Sequence, residues 1–373
     1  MLNRRLVRIR VMQTLYALDK SKSANYSLAQ DLIAEAFAPD LNAVIRQDRN
    51  QLLGQKKIAQ SYFEDEILKD KTPDPEDLNP TIGKALSSAR EFLKSKNKKD
   101  IDFFKREIIL DAEKVYDLYL YILSMLIELQ KKFPKGSNFS KNRVLFSLRD
   151  SKNLQQNTLK RGINFENEPA FITKIFAETL AKNPHIEEYE VKVNATTEDD
   201  LAILKYVVKN VALKNESIAD FFEKISLFWS EDTDILRTML FHTLSAFVET
   251  GEVNVETLDE TWDETRDFMK ELFESTVNND AKLMRIIVPR LKNWEIERII
   301  ETDKILLKMA ISELTNFPSI PTKVTINEII EISKNYSSLK SGNFVNGILD
   351  GIMKHLISQG DIKKTGRGML DNK

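Results

Sequence analysis

Phe317 to Met353 reads FPSIPTKVTINEIIEISKNYSSLKSGNFVNGILDGIM, and this stretch decides the fold. Pro318 and Pro321 forbid helix and set an extended connector, because proline lacks the amide hydrogen and restrains the residue before it. A helix must begin after them. Thr325 and Glu328 have capping-box spacing and Val324 and Ile329 have staple spacing, so the start is placed there or one turn earlier, at Thr322. Ile326, Ile329, Ile330 and Ser333 form the expected inner face. Asn335-Tyr336-Ser337-Ser338 ends the helix, and Ser341 can cap a second one, along which Phe344, Val345, Ile348, Leu349, Ile352, Met353 and Leu356 recur at helical spacing. Gly347 and Gly351 lie one turn apart beside that stripe. Each costs a helix about 1 kcal/mol relative to alanine, so the pair marks a close approach, by another helix or by a ligand.

Leu306 to Leu314 (LLKMAISEL), preceded by Glu301-Thr302-Asp303, reads as the preceding helix. At the other end of the chain Arg4 to Leu18 reads RRLVRIRVMQTLYAL. Residues 1–10 hold four arginines and no acid. Arg4, Arg5 and Arg8 share one arc of a helix and Arg10 points elsewhere. Cations at a helix N-terminus oppose the macrodipole, which an anionic partner would reverse; the competing interpretation is a solvated basic face.

The V-x-I-N-E and F-V-N-G-x-L-D runs resemble the C-terminal signature of the NusB family of transcription antitermination factors. The first helix resembles that family's R-R-x-A-R-x-x-A-x-Q-x-L-Y pattern, with Arg4, Arg5, Arg8, Gln13, Leu15 and Tyr16 matching position by position. The resemblance covers residues 1–20 and 261–357. It implies an all-α, NusB-like helical bundle in which the first helix packs on the C-terminal helices, an RNA-binding domain formed by 1–20 and 261–357, and an inserted helical region over 21–260. It further implies a factor that binds single-stranded boxA-type RNA together with the ribosomal protein NusE and acts on the RNA polymerase elongation complex at ribosomal RNA operons. RNA contacts then fall to Arg4, Arg5, Arg8, Gln13, Tyr16, Phe344 and Asn346, and partner contacts to Asn327, Glu328 and Lys340. Lys340 stands where family members often carry an acid. A helical interaction module that keeps the fold without RNA binding is the competing reading.

The chain has 373 residues, 42% of them hydrophobic, with a net charge of -2. It has no cysteine, and its three histidines, His185, His242 and His355, are scattered, so neither thiolate nor histidine metal chemistry has a foothold and no cofactor is implied. The longest apolar run, Tyr116 to Ile127, is broken by Asp117 and Ser124 and falls short of the roughly 20 residues of a membrane span; a cytoplasmic protein is expected. Glycine-rich phosphate loops and nucleophile elbows are absent, and nothing argues for an enzyme.

Between the ends, the first helix is expected to stop near Asp19, with Lys20 to Ser27 as a loop. Helices are expected over Leu28 to Phe37, Leu41 to Leu68 and Ile82 to Leu93, with Lys71 to Pro80 as a linker. Lys94, Lys96, Lys98 and Lys99 read as a solvated turn. Ile101 to Leu129 is a helix apolar almost all round, so its tyrosines fill core and need partners only for their hydroxyls. Glu168 to Lys182 is a further helix. Tyr206 to Trp229 overlays Glu271 to Trp294 without a gap, and beyond the tryptophans Ile235, Leu236, Met239 and Phe247 match Ile305, Leu306, Met309 and Phe317. The chain therefore reads as carrying a duplicated helical unit, with Glu252 to Glu264 as an acidic connector. Residues 358–373 read as a disordered tail.

Overall fold

A computed structural model describes residues 4–40, 47–69, 71, 79–256, 260–291 and 299–372. Fifteen α-helices lie in them, with no strand among the described residues: α1 Arg4–Ala36, α2 Arg49–Lys69, α3 Pro80–Gln130, α4 Arg143–Asp150, α5 Lys152–Arg161, α6 Pro169–Ile175, α7 Pro184–Glu190, α8 Thr197–Val207, α9 Glu216–Glu223, α10 Trp229–Thr250, α11 Glu260–Asn278, α12 Asp280–Ile287, α13 Glu301–Asn316, α14 Thr322–Tyr336 and α15 Ser341–Gln359. None of the helices is long and apolar enough to cross a membrane among the described residues. The chain is all-α, as the resemblance implies.

The chain divides into two compact units, Met1–Arg8 with Ile109–Met269, and Ile9–Ile108 with Lys270–Lys373. Of the region 21–260 expected as an insertion, residues 21–108 fall in the unit that holds the C-terminal helices and residues 109–260 in the other. The reason lies in two helices longer than expected. α1 continues to Ala36 because Lys20 to Ser27, polar enough to read as a loop, meets polar residues of α3: the Ser21 hydroxyl donates to Asp100 Oδ2 at 2.5 Å, and Asn25 Nδ2 donates to Asp100 Oδ2 at 2.6 Å and to Asn97 Oδ1 at 3.0 Å. α3 is continuous over 51 residues, so Lys94 to Lys99 lie within a helix and not in a turn. Around them Ala29, Ile33, Phe37, Ala59, Phe63, Ile82, Leu86, Ala89 and Leu93 form a buried cluster, and Arg90 reaches Glu66 at 2.6 Å. Most of the expected linker after Lys71, and residues 41–46, lie outside the described residues.

In the other unit the C-terminal part of α3 is the central element, with Leu118, Leu120, Ile122, Leu123, Met125, Leu126 and Leu129 in the core. Its tyrosines do fill core space: the Tyr116 hydroxyl donates to the Glu256 carbonyl at 2.9 Å, and the Tyr119 hydroxyl lies 2.5 Å from Thr243 Oγ1 and accepts from Glu256 N at 3.0 Å. Burial pushes the Tyr116 phenol up to about 12. The expected helix from Glu168 is α6 continued by a π-turn over Phe176–Leu180. In the two overlaid segments, α9 and α12 are both eight residues long and bury Ile218 and Phe222, and Leu283 and Ile287, respectively; Trp294, the counterpart of Trp229, lies outside the described residues.

The C-terminal stretch expected to be disordered folds back on the α13–α14 connector. Thr365 N donates to the Pro318 carbonyl at 2.9 Å, Lys364 Nζ donates to the Phe317 carbonyl at 3.0 Å, and a short 3-10 segment spans Gly366–Asn372. Gly368 sits so near the Pro318 carbonyl that a Cβ could not fit, which is why a glycine stands there.

Candidate nucleic-acid interface

α13, α14 and α15 pack on one another in the unit that holds the C-terminus. Pro318 and Pro321 separate α13 from α14 as the sequence demands, and α14 starts at Thr322, the earlier of the two expected positions. Thr325 is consequently not a cap. It is buried, and its hydroxyl donates to Oε1 of the buried Glu313 at 2.6 Å. A carboxylate inside an apolar run needs such a donor, since a buried charge without a partner is costly. The inner face of α14 is Thr325, Ile329, Ile332 and Ser333, whereas Ile326 and Ile330 are half-buried.

The α14–α15 turn is braced from below. Ser341 Oγ donates to Oδ2 of the buried Asp303, in the first turn of α13, at 2.7 Å, lies 2.9 Å from the hydroxyls of Ser337 and Ser338, and accepts from Ser338 N at 3.2 Å. Above this network Leu339 is fully exposed and Lys340 is exposed. Along α15, Val345, Leu349, Ile352 and Leu356 are sealed in the core, Phe344 is half-buried, and Asn346 and Gly347 face solvent. The two glycines behave differently. The Arg290 side chain lies over Gly351, with Nε donating to its carbonyl at 3.3 Å and Cδ 3.9 Å from where a Cβ would stand, while the space beside Gly347 is open. Close packing thus accounts for one glycine only. Asn327 is exposed and Glu328 half-buried on α14.

The arginines at the start of α1 are not equivalent. Arg4 and Arg5 are exposed, but Arg8 is only 1% exposed. Its guanidinium stands 5.4 Å from the centre of the Phe268 ring, with Arg4 at 4.8 Å from the same ring, and Arg8 Nη1 donates to the Arg4 carbonyl at 3.0 Å. An Arg8 so placed cannot meet a phosphate as it stands, contrary to the expectation that Arg4, Arg5 and Arg8 offer one charged arc; the face of an aromatic ring attracts a cation and shelters its stem. Arg10 is buried as well and its Nη1 donates to Oε1 of the half-buried Gln13 at 3.2 Å. Tyr16 is 41% exposed, and the Lys20 ammonium lies 4.9 Å from its ring centre. One turn further, burial first and then the charge of Glu301 raise the Asp19 carboxyl.

Arg4 and Arg8 are thus brought together in one unit, and Lys340, Phe344 and Asn346 in the other. The Asp303–Ser341 contact was not legible, although an acid in the first turn of a helix and a serine at a helix start were both visible; only their pairing was hidden.

The NusB family's sequence pattern matches residues 235–354. Over 106 residues the chain is 46% identical to the transcription antitermination protein NusB of Salinibacter ruber, covering 28% of this chain and 66% of that protein. Over 106 residues it is 41% identical to NusB of Chloroherpeton thalassium, covering 28% of this chain and 50% of the relative, and over 90 residues it is 41% identical to NusB of Listeria monocytogenes, covering 24% and 70%. This chain belongs to the NusB family. The first two alignments span about two thirds and half of the relatives' lengths. No solved structure matches the chain. The family match begins within α10, so residues 235–260, expected in the insertion, fall inside it, and the first helix lies outside it.

Proposed function

We propose that the chain is an RNA-binding transcription antitermination factor of ribosomal RNA operons, working in the cytoplasm, which takes single-stranded boxA-type RNA together with the ribosomal protein NusE and acts on the RNA polymerase elongation complex. The observation that carries this reading is α15 within the family-matched region, where half-buried Phe344 stands one turn from the open side of Gly347 and Asn346 is exposed on the next flank. Unstacked bases of single-stranded RNA lie on aromatic rings and are read at their edges by amides. Phe344 supplies the ring and Asn346 the amide. Arg4 and Arg5 supply phosphate contacts, Gln13 and Tyr16 further polar and aromatic contacts, and Arg8 orients Arg4 through Phe268. Asn327, Glu328 and Lys340 supply the face for the ribosomal partner.

The burial of Arg8 favours the second reading, a helical protein-interaction module without RNA binding, because it removes one of three expected phosphate contacts. Fluorescence anisotropy with labelled boxA RNA, with and without the ribosomal partner, separates the two. Arg4→Ala with Arg5→Ala is expected to lower the slope of log affinity against log salt by about 1.4, at roughly 0.7 per phosphate. Phe344→Ala is expected to lower RNA affinity about tenfold with little change in Tm, and Asn346→Ala to blur preference among boxA variants. Binding of the ribosomal partner with no RNA binding under any salt condition establishes the interaction module instead.

A further inference from the structure

Residues 94–106 of α3 read KSKNKKDIDFFKR, with six basic residues and two acidic ones. As a turn such a run would be a solvated charge cluster. As part of a continuous helix it becomes a surface with fixed positions. Asp100 is turned toward α1, where Ser21 and Asn25 donate to it, and Lys105 pairs with Glu274, so these two charges are spent inside the fold. Lys94, Lys96, Lys98, Lys99 and Arg106 are exposed, and Lys94, Lys98, Lys99 and Arg106 make no ion pair among the described residues. Phe103, 47% exposed and held edge-on to Phe104 at 5.3 Å, shares a flank with Lys96, Lys99 and Arg106, and Lys94 and Lys98 continue the exposed arc on the other flank. Asp102 is the one exposed acid of the run.

We propose that this face of α3 is a second RNA-binding surface, which takes the backbone of single-stranded RNA on its cations and stacks a base on Phe103. It rests on the RNA-binding reading of the chain and extends the footprint beyond the α15 face. Like charges one helical turn apart, such as Lys94 and Lys98, repel and weaken a helix, so the arrangement works against α3 until an anion covers it. At 1.5 Å per residue the cations span about 18 Å, an extended track that suits a polyanion rather than a single small anion. A lipid surface is a poor occupant, since interfacial helices need a continuous apolar face and the exposed apolar residue within this run is one phenylalanine. An exposed ring set among cations matches single-stranded nucleic acid, in which every base offers a face to stack.

The test uses the full chain, a boxA-length RNA, the same RNA extended at either end by about 15 unstructured nucleotides, and an unrelated unstructured RNA of that length. Extension is expected to tighten wild-type binding. The combined variant Lys94→Ala, Lys98→Ala, Lys99→Ala and Arg106→Ala is expected to lose that gain, with a salt slope lower by about 2 to 3, while binding the short RNA as before. Phe103→Ala is expected to lower affinity for the extended RNA about tenfold without changing the salt slope, because the ring carries no charge. Circular dichroism and melting check that each variant is folded, which the exposure of these side chains favours. A wild type that gains nothing from extension, a fourfold variant that keeps the gain, or polyglutamate binding to this face where RNA does not, overturns the proposal. Failure of the antitermination reading looks different: the unrelated RNA then binds through α3 as tightly as the extended boxA RNA, and the short RNA does not bind at all.

Discussion

Asp200 and Asp303 are both buried carboxylates near helix starts, one in each unit, and they are satisfied to different degrees. Asp200 Oδ2 accepts from the backbone N of Arg143 at 3.0 Å and from its Nε at 2.7 Å, and Oδ1 accepts from the Tyr189 hydroxyl at 2.6 Å. Its backbone carbonyl accepts from Asn142, the residue that caps α4. Asp303 Oδ2 accepts from the Ser341 hydroxyl, and its Oδ1 has no hydrogen-bond partner among the described residues. The first carboxylate is a fully occupied joint between α4, α7 and α8. The second is a half-occupied joint beneath the α14–α15 turn, where the fold accepts a poorer interior to fix the segment bearing Leu339 and Lys340. Charge at the first turn of α13 offsets part of that cost.

The largest effect is therefore expected at the fully occupied joint. Asp200→Ala leaves the first amide of α4 unsatisfied and the Tyr189 hydroxyl with only its longer contacts to Asn138 and Asn142, and is expected to destabilise its unit by about 3 kcal/mol. Urea unfolding followed by fluorescence reports it, because Trp229 and Trp262 are both buried in that unit. A loss under about 1 kcal/mol would mean that Asp200 is dispensable and that the contrast with Asp303 is false.

At the half-occupied joint the order of effects inverts between the partners. Ser341→Ala removes the one donor to a buried charge and is expected to cost about 1–2 kcal/mol. Asp303→Asn removes the charge and keeps an acceptor for Ser341, so it is expected to change stability by less than about 1 kcal/mol in either direction. In the Asp303→Asn background Ser341→Ala should then cost less, a coupling of about 1 kcal/mol read from a double-mutant cycle. Additive effects would break the account. The same Ser341→Ala variant should weaken binding at Lys340 if the turn presents a partner face.

These joints also show what sequence could and could not convey. The helices α13 to α15 were legible because their signals are local: two prolines, a polar turn and an apolar period of 3.6. The tyrosine-bearing half of α3 was legible because a helix apolar on every side has only one place to go. What stayed hidden depended on partners far along the chain. Lys20 to Ser27 looked like a loop because Ser21 and Asn25 are polar, and only Asp100 and Asn97 make them helix-packing residues. Arg8 looked like Arg4 and Arg5 at helical spacing, and only Phe268 separates it from them. The basic run of α3 looked like a turn because clustered lysines are neutral evidence between a solvated helix and a loop.

The smallest effects concern two exposed or half-exposed aspartates whose titrations run in opposite directions, again one in each unit. The hydrogen bond from Lys192, then that from the Thr196 backbone, hold the Asp199 carboxyl down at about 2. Its folded value lies below its ordinary one near 3.8, so its stabilisation is present at neutral pH and is lost as pH falls from about 4 toward 2. Asp19 is raised, by burial first and by Glu301 second, despite Lys20 and Lys308. Its contribution is present below the ordinary value and is lost as pH rises through the raised one. Asp199→Asn keeps the capping oxygen for Thr196 and removes the ion pair, so the variant should be less stable than wild type at pH 7 and equal to it once Asp199 is protonated in both states. Asp19→Asn should be slightly more stable at pH 7, by a few tenths of a kcal/mol at most after solvent screening, with the difference vanishing on acidification. Melting temperatures of the two variants against wild type from about pH 1.5 to 7 should therefore diverge from a common acid limit with opposite signs. If both differences carried the same sign, burial would not be what sets the titration of Asp19, and the part of the first helix from Ile9 onward would have to owe its place in its unit to its apolar face alone.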